Sequence, residues 1–425
     1  MKFIKRIINN KIIRNSLILI NGTIISQIIN VIISPILSRL YSPNEFGDYT
    51  SLTSWVMIIT IIASMKYELA IMNKKDDNAK AKETFYVAMS FNVSINLFIL
   101  LIAIISYVFK ITILGLKYYE IILISILTFF YTTNTIVNMW FNRNEMYKKI
   151  TNNRIIYSTV YALLAILNGF FNLKYLGLVL ATIIAYISQF IYSSYILKKE
   201  EEFTKYKFDK VSYLTQIRAN KNLPLFQMPA LLLNTASTQL PVVLFKNFYN
   251  SNVSGWYSMS VKVISLPFSM VGTAIGEVYF KEASEIYSKQ GIDELKNFTY
   301  KLFKKLLILG IIPMAIIMGY GDIIFSIVLG NEWKTSGVYS MLLAPWYYMV
   351  FVTSPLTYLY LILRKTKKQF FLKFDYAFFK SYNNYCRQCC FKYAFNLYNS
   401  NFCTNRFYNM DICKCLYIKF NKNNI

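Results

Sequence analysis

Phe85-Tyr-Val-Ala-Met-Ser-Phe-Asn-Val-Ser-Ile-Asn-Leu-Phe-Ile-Leu-Leu-Ile-Ala-Ile-Ile-Ser-Tyr-Val-Phe109 runs for 25 residues without a charged side chain. A helix rises ~1.5 Å per residue and the hydrocarbon core of a bilayer is ~30 Å thick, so this run crosses a membrane with length to spare. Working outward from it, apolar runs near that length recur at 17–38, 49–65, 121–141, 155–171, 175–197, 223–245, 253–276, 303–320 and 338–363, giving ten predicted spans. Composition agrees: 55% of the 425 side chains are hydrophobic and only 16% charged, with 33 Phe, 35 Tyr and 5 Trp. Mean hydropathy is +0.37. A soluble chain of this length would divide into domains with charged surfaces. The expected fold is an all-α polytopic membrane protein.

A net charge of +25 raises the possibility of nucleic acid as a partner. The placement of the charges argues against it, because they sit in short segments between apolar runs, as the positive-inside rule requires. One side, residues 1–16, 66–84, 142–154, 198–222, 277–305 and 364–373, carries 32 Lys and Arg; the other carries six, Arg39, Lys110, Lys117, Lys174, Lys246 and Lys334. This bias predicts a cytoplasmic N-terminus and leaves no outward loop long enough to be a domain. The basic start followed by an apolar stretch resembles a signal sequence, but no small-residue cleavage site follows, so it reads as a retained first helix. With no His in the chain, Ser-His and Cys-His hydrolases are untenable. There is no GxxxxGK[ST] loop and no HExxH, so neither ATP hydrolysis nor zinc proteolysis has a seat. No catalytic residue, cofactor or metal site is expected.

Internal repetition comes next. Tyr41-Ser-Pro-Asn-Glu-Phe-Gly-Asp-Tyr-Thr50 and Tyr249-Asn-Ser-Asn-Val-Ser-Gly-Trp-Tyr-Ser258 align at an offset of 208 with Tyr, Asn, Gly and Tyr identical. Both follow the first span of a set. The implied plan is a six-helix bundle over 1–197, a charged cytoplasmic linker over 198–222, and a second bundle over 223–370 in the same orientation, of which four helices are recognisable. Two more spans are due after 363. Instead 371–425 contains ten Asn, no Gly or Pro, and all six cysteines, Cys386, Cys389, Cys390, Cys403, Cys413 and Cys415. Cys386-x-x-Cys389 has zinc-ligand spacing, but without His and with irregular later spacings a zinc site is not the preferred reading. The abrupt change of composition reads as a reading frame lost near residue 370, with the last two helices lost or garbled.

Polar groups inside a membrane are costly and mark cavities, pathways or helix contacts. Span eight carries Ser258, Lys262, Ser265, Ser269, Gly272 and Gly276 at alternating steps of three and four, which is one helical face. The Ser and Gly suit a packing seam; Lys262 does not, unless it snorkels, and it suits contact with an anion. Span one offers Gln27, Asn30 and Ser34, span four Thr128, Thr135, Asn138 and Asn142, and span seven Asn234 and Thr238. These uncharged faces serve helix association or sugar recognition. Lys66-Tyr67-Glu68 reads as an interfacial anchor, with Glu68 the default residue for ion coupling. Trp140, Trp256 and Trp333 read as aromatic belt.

Three stretches carry a family resemblance: Ser38–Tyr49 with Met65–Ile71, Gly255–Ser269 and Leu329–Gly337. With them the chain resembles the bacterial polysaccharide and O-antigen flippases (Wzx-type) of the multidrug/oligosaccharidyl-lipid/polysaccharide exporter superfamily, over about residues 10–370. The resemblance implies two six-helix bundles around a central cavity in the bacterial inner membrane. It further implies movement of a polyprenyl-diphosphate-linked oligosaccharide between leaflets for O-antigen, lipopolysaccharide or capsule synthesis, with a polysaccharide polymerase as a further partner. On that reading Lys262, Ser258, Ser265, Gln27, Asn30, Asn138, Asn234 and Arg39 contact substrate and Glu68 couples an ion. A multidrug exporter of the same superfamily is the nearer rival, although its typically cationic substrates would be opposed by Lys262. A membrane polymerase or glycosyltransferase is the farther one, lacking sizeable outward loops for catalytic groups.

Overall fold

Ser42 and Asn250 open two helices in the same way. The Ser42 hydroxyl accepts the Glu45 N–H while the Glu45 carboxylate accepts the Ser42 N–H, and Pro43 fills the first helical position. The Asn250 side chain accepts the Val253 N–H. Both caps lie at the repeat offset of 208, so the repetition in sequence is also one of local structure. The computed structural model describes residues 11–72, 77–199 and 210–363. The expectations placed on residues after 363, the missing spans, the zinc reading and the lost frame, lie outside the described residues.

The N-terminal set comprises α1 (Lys11–Leu40), α2 (Pro43–Ala63), the short α3 (Glu68–Met72), α4 (Asn78–Val108), α5 (Tyr118–Arg143), α6 (Tyr147–Phe170) and α7 (Lys174–Lys199). In α4 the Asp77 cap accepts the Lys80 N–H, and that bond with the nearby ammonium holds the Asp77 carboxyl below its ordinary range. After α8 (Lys210–Ala219) come a π turn at Leu223–Gln227, α9 (Met228–Phe248), α10 (Ser251–Gln290), α11 (Ile292–Leu329) and α12 (Lys334–Thr353). A 3-10 turn at Pro355–Tyr358 and α13 (Leu359–Ile362) follow. All ten expected spans are helical. Among the described residues six helices, Pro43–Ala63, Asn78–Val108, Tyr118–Arg143, Lys174–Lys199, Leu223–Phe248 and Ile292–Leu329, are long and apolar enough to cross a membrane. The protein is an all-helical, multi-pass membrane protein.

Several spans differ from expectation in extent. The tenth is broken: α12 ends at Thr353 and the chain passes into a 3-10 turn at Pro355, which has no N–H with which to continue the α-helical ladder. Helices α10 and α11 run past their apolar parts, through charged stretches that form helix readily in water. The linker contributes a helix to the fold: in α8, Tyr213 Oη pairs with Ser90 Oγ at 2.5 Å and Gln216 Nε2 donates to Glu83 Oε2 at 2.9 Å, docking it on α4. The aromatic-belt reading fails for Trp140 and Trp333. Each is at most 1% exposed, Trp140 in a core with Phe85 and Phe141 and Trp333 between the two sets. Both rings bury more apolar area by turning inward than a position at the headgroups would allow.

The two sets meet along α2, which packs on α9 and α10, and along α1, which packs on α11. We call the end bearing residues 41–42, 109–117, 249–250 and 330–333 the hairpin end. There the repeat becomes a reciprocal contact. A Cβ on Gly47 would lie 1.8 Å from the Ser251 carbonyl oxygen, and one on Gly255 would lie 1.9 Å from that of Pro43. Pro43 and Ser251 are themselves repeat partners, so the helix crossing is a local pseudo-two-fold in which only glycine permits the approach. Around it Ser251 Oγ donates to Asp48 (2.6 Å), Lys246 Nζ pairs with Asp48 (2.9 Å), and Glu120 Oε1 lies 3.8 Å from the same ammonium. Ser38 joins the sets twice: its hydroxyl donates to Leu329 O (2.9 Å) and its carbonyl accepts from Trp333 Nε1 (2.8 Å).

Candidate functional site

Lys262 lies seven residues, or ~10 Å of helix, along α10 from Gly255. Its ammonium stands 5.6 Å from the centre of the Phe46 ring on α2, so it faces the other set of helices. Among the described residues no carboxylate pairs with it. A lipid-facing snorkel would turn it the other way. The rest of its helical face divides. Ser258 is buried with an unpartnered hydroxyl, and Ser265 Oγ turns back to the Lys262 carbonyl at 3.4 Å. Gly272 and Gly276 pack under Phe351 and Tyr358. The small-residue seam therefore accounts for the glycine end of the face and leaves Ser258 and Lys262 at the junction of the sets.

A second polar region lies inside the N-terminal set, in a cavity of about 300 Å³ bounded by α1, α5, α6 and α7. Asn138 and Ser26 line it, together with Tyr131, Asn134, Arg154, Tyr157, Tyr186 and Gln189. Tyr157 and Tyr186 stack with ring centres 4.7 Å apart, and Tyr131 meets Tyr186 edge-on at 5.5 Å. Asn153 Nδ2 donates to Asn138 Oδ1 (3.2 Å), and Gln189 Nε2 donates to the Asn153 carbonyl (2.8 Å), so the amides form a chain. Asn134 Nδ2 donates to the Phe130 and Tyr186 carbonyls (3.0 and 3.2 Å), but its buried Oδ1 has no hydrogen-bond partner. Arg154 sits at the mouth, donating to Thr23 Oγ1.

The remaining candidates are dispersed. Gln27 and Asn30 are half-buried on α1, on the helix that contributes Ser26. Asn234 is exposed on α9, and Arg39 is exposed at the hairpin end of α1. Glu68 is not the surface anchor its sequence context suggested. It is 1% exposed, Lys66 Nζ donates to its Oε1 at 3.1 Å, and its Oε2 has no hydrogen-bond partner. Met65 and Lys66 take positive φ, and that reversal folds the segment back against the bundle. Sequence reasoning passed over Arg154 and the tyrosines: Arg154 was absorbed into a count of basic residues, and Tyr157 and Tyr186 looked like ordinary members of apolar runs.

Residues 36–337 match the family model described as polysaccharide biosynthesis protein. The chain belongs to that family. Among curated proteins none matches it in sequence. Among solved structures it is similar to one titled as the inward-facing conformation of a multidrug resistance MATE family transporter of the MOP superfamily, with a TM-score of 0.57 and 11% identity, covering 82% of this chain and 83% of that one. It is also similar to a MATE protein in complex with MaL6, with a TM-score of 0.52 and 13% identity, covering 85% and 84%. This polysaccharide biosynthesis protein thus has the all-helical fold of MATE transporters.

Proposed function

We propose that the protein is a flippase that moves polyprenyl-diphosphate-linked oligosaccharides across the bacterial inner membrane for surface polysaccharide synthesis. The observation that carries this reading is Lys262, a cation at the junction of two helix sets, without a carboxylate among the described residues, in a member of a polysaccharide biosynthesis family. An ammonium held over an aromatic ring gains only part of what its lost hydration costs. A diphosphate passing between the sets supplies the missing counter-charge, while the lipid tail stays in the bilayer. Sugars and diphosphate cannot cross hydrocarbon unaided. The sets rock about the midplane, and the Gly47–Gly255 crossing with its Asp48–Lys246 pair is the junction that must part for the outward-open state.

The count of 32 against six basic residues orients the N-terminus and the loops at 66–84, 142–154, 198–222 and 277–305 to the cytoplasm, which makes the hairpin end periplasmic. On this reading Ser258, Ser265, Gln27, Asn30, Asn138 and Asn234 offer hydrogen bonds along the path, Arg39 is a periplasmic cation, and Glu68 is the residue for ion coupling. Deletion of the gene tests the function. The flippase reading expects loss of surface polysaccharide with lipid-linked units accumulating. A drug exporter would leave polysaccharide intact and lower drug resistance, and a polymerase would leave single, unpolymerised units on the cell surface.

A further inference from the structure

The repeat that makes the Gly47–Gly255 crossing symmetric leaves its two flanks chemically unequal. Ser38 and Lys246 are repeat partners at the offset of 208, and each lies four residues before the helix cap of its hairpin, Ser42 or Asn250. They reach into the opposite set at matching places, since Leu329 and Glu120 fall within one residue of the same repeat position. On the Ser38 flank the contacts are dry and uncharged. Ser38 is 5% exposed and bonded to the Leu329 carbonyl and the Trp333 indole, and Leu37, Tyr41 and Phe46 share a buried core with Met259, Phe325 and Leu329. On the Lys246 flank polar groups tie α9 to the N-terminal set: Lys246 to Asp48 and, more loosely, to Glu120, and, deeper, Gln239 Oε1 accepting from Ser54 Oγ at 3.0 Å. The Lys246 and Asp48 side chains stay 20% and 26% exposed. Parting the Ser38 flank bares apolar surface and strands an indole N–H, which is costly. Parting the Lys246 flank returns ions to water, and part-exposed ion pairs hold weakly.

We propose that the hairpin end opens on the Lys246 flank alone: α9 parts from α2 while the Ser38 contact persists as the pivot, so that Lys246, Asp48 and Glu120 form the latch of a one-sided gate. The lipid tail of a flippase substrate never leaves the bilayer, so such a gate gives the product a single lateral exit, between α2 and α9, where Leu240 and Phe248 of α9 are exposed. The proposal rests on the flippase reading for what leaves and adds to it where the sets part. Single cysteines in the full chain, its six native cysteines replaced by serine, test it through labelling by an impermeant maleimide from outside intact cells. Gln239→Cys reports the Lys246 flank and Ser38→Cys the other. Lys246→Gln removes the latch cation and is expected to speed labelling at 239 about two- to fivefold, the range for a part-exposed ion pair, while the rate at 38 stays unchanged. Asp48→Asn acts in the same direction and carries the test if the Lys246 variant fails to insert. Lys246→Arg keeps the charge and the wild-type rates. Equal acceleration at both positions, the mark of two-sided opening, overturns the proposal, as does an unchanged rate at 239 in well-inserted Lys246→Gln or Asp48→Asn protein. Labelling reads the gate whatever its substrate, so failure of the flippase reading in the gene-deletion test leaves the one-sided gate standing and withdraws only the identity of what leaves through it.

Discussion

Adding one methyl group at the crossing of α2 and α10 shifts the balance between the closed and open hairpin ends. In Gly47→Ala the new Cβ starts 1.8 Å from the Ser251 carbonyl oxygen. Carbon and oxygen settle near ~3.3 Å, so the helices must separate by about 1.5 Å or rotate. The obstacle is backbone, which cannot swing aside as a side chain can. Overpacking of this kind costs about 1–3 kcal/mol. The strain is confined to the closed state, so it favours the open one by about 5- to 150-fold. Gly255→Ala meets the Pro43 carbonyl at 1.9 Å and behaves the same way. Gly319→Ala is the control, since nothing lies within 4 Å of its added carbon. The assay replaces the six cysteines by serine, adds one cysteine at Ser54, below the crossing, and follows its labelling by an impermeant maleimide from outside intact cells. Faster labelling in both glycine variants and not in Gly319→Ala is expected. A well-inserted Gly47→Ala protein with wild-type labelling and transport would refute the reasoning.

Lys262→Arg is expected to keep export of surface polysaccharide, since the charge is retained, whereas Lys262→Gln loses it at normal membrane levels; normal export by the Gln variant removes Lys262 from the path. Trp333→Phe takes the indole donor from the Ser38 carbonyl and lowers stability by about 1–3 kcal/mol, measured as a lower melting temperature in detergent. Single cysteines in the 198–222 linker are expected to resist impermeant reagents in intact cells, and labelling there overturns the orientation.

The helices were legible because each apolar run is long and local, and hydropathy needs nothing beyond the run itself. Their full lengths were not, since α10 and α11 continue through charged sequence that no membrane signal marks. The repeat was visible in four identities, but its meaning was not: that Gly47 and Gly255 touch each other's helix depends on how two distant segments dock. Lys262 stood out as a cation in an apolar span. The pocket did not stand out, because Ser26, Asn134, Arg154 and Gln189 come from four helices and each alone is an unremarkable polar residue. The inward turn of Trp140 and Trp333 was hidden for a related reason: an aromatic residue near a helix end looks the same whether it faces headgroups or a neighbouring helix.

Reconstitution tests the central claim most directly. Purified protein is placed in sealed vesicles with lipid-linked oligosaccharide in both leaflets, and an impermeant glycosidase is added outside. With wild-type protein the whole pool is expected to become digestible over time, and with Lys262→Gln only the outer-leaflet share. Persistent protection of the inner-leaflet share in wild-type vesicles would contradict the account.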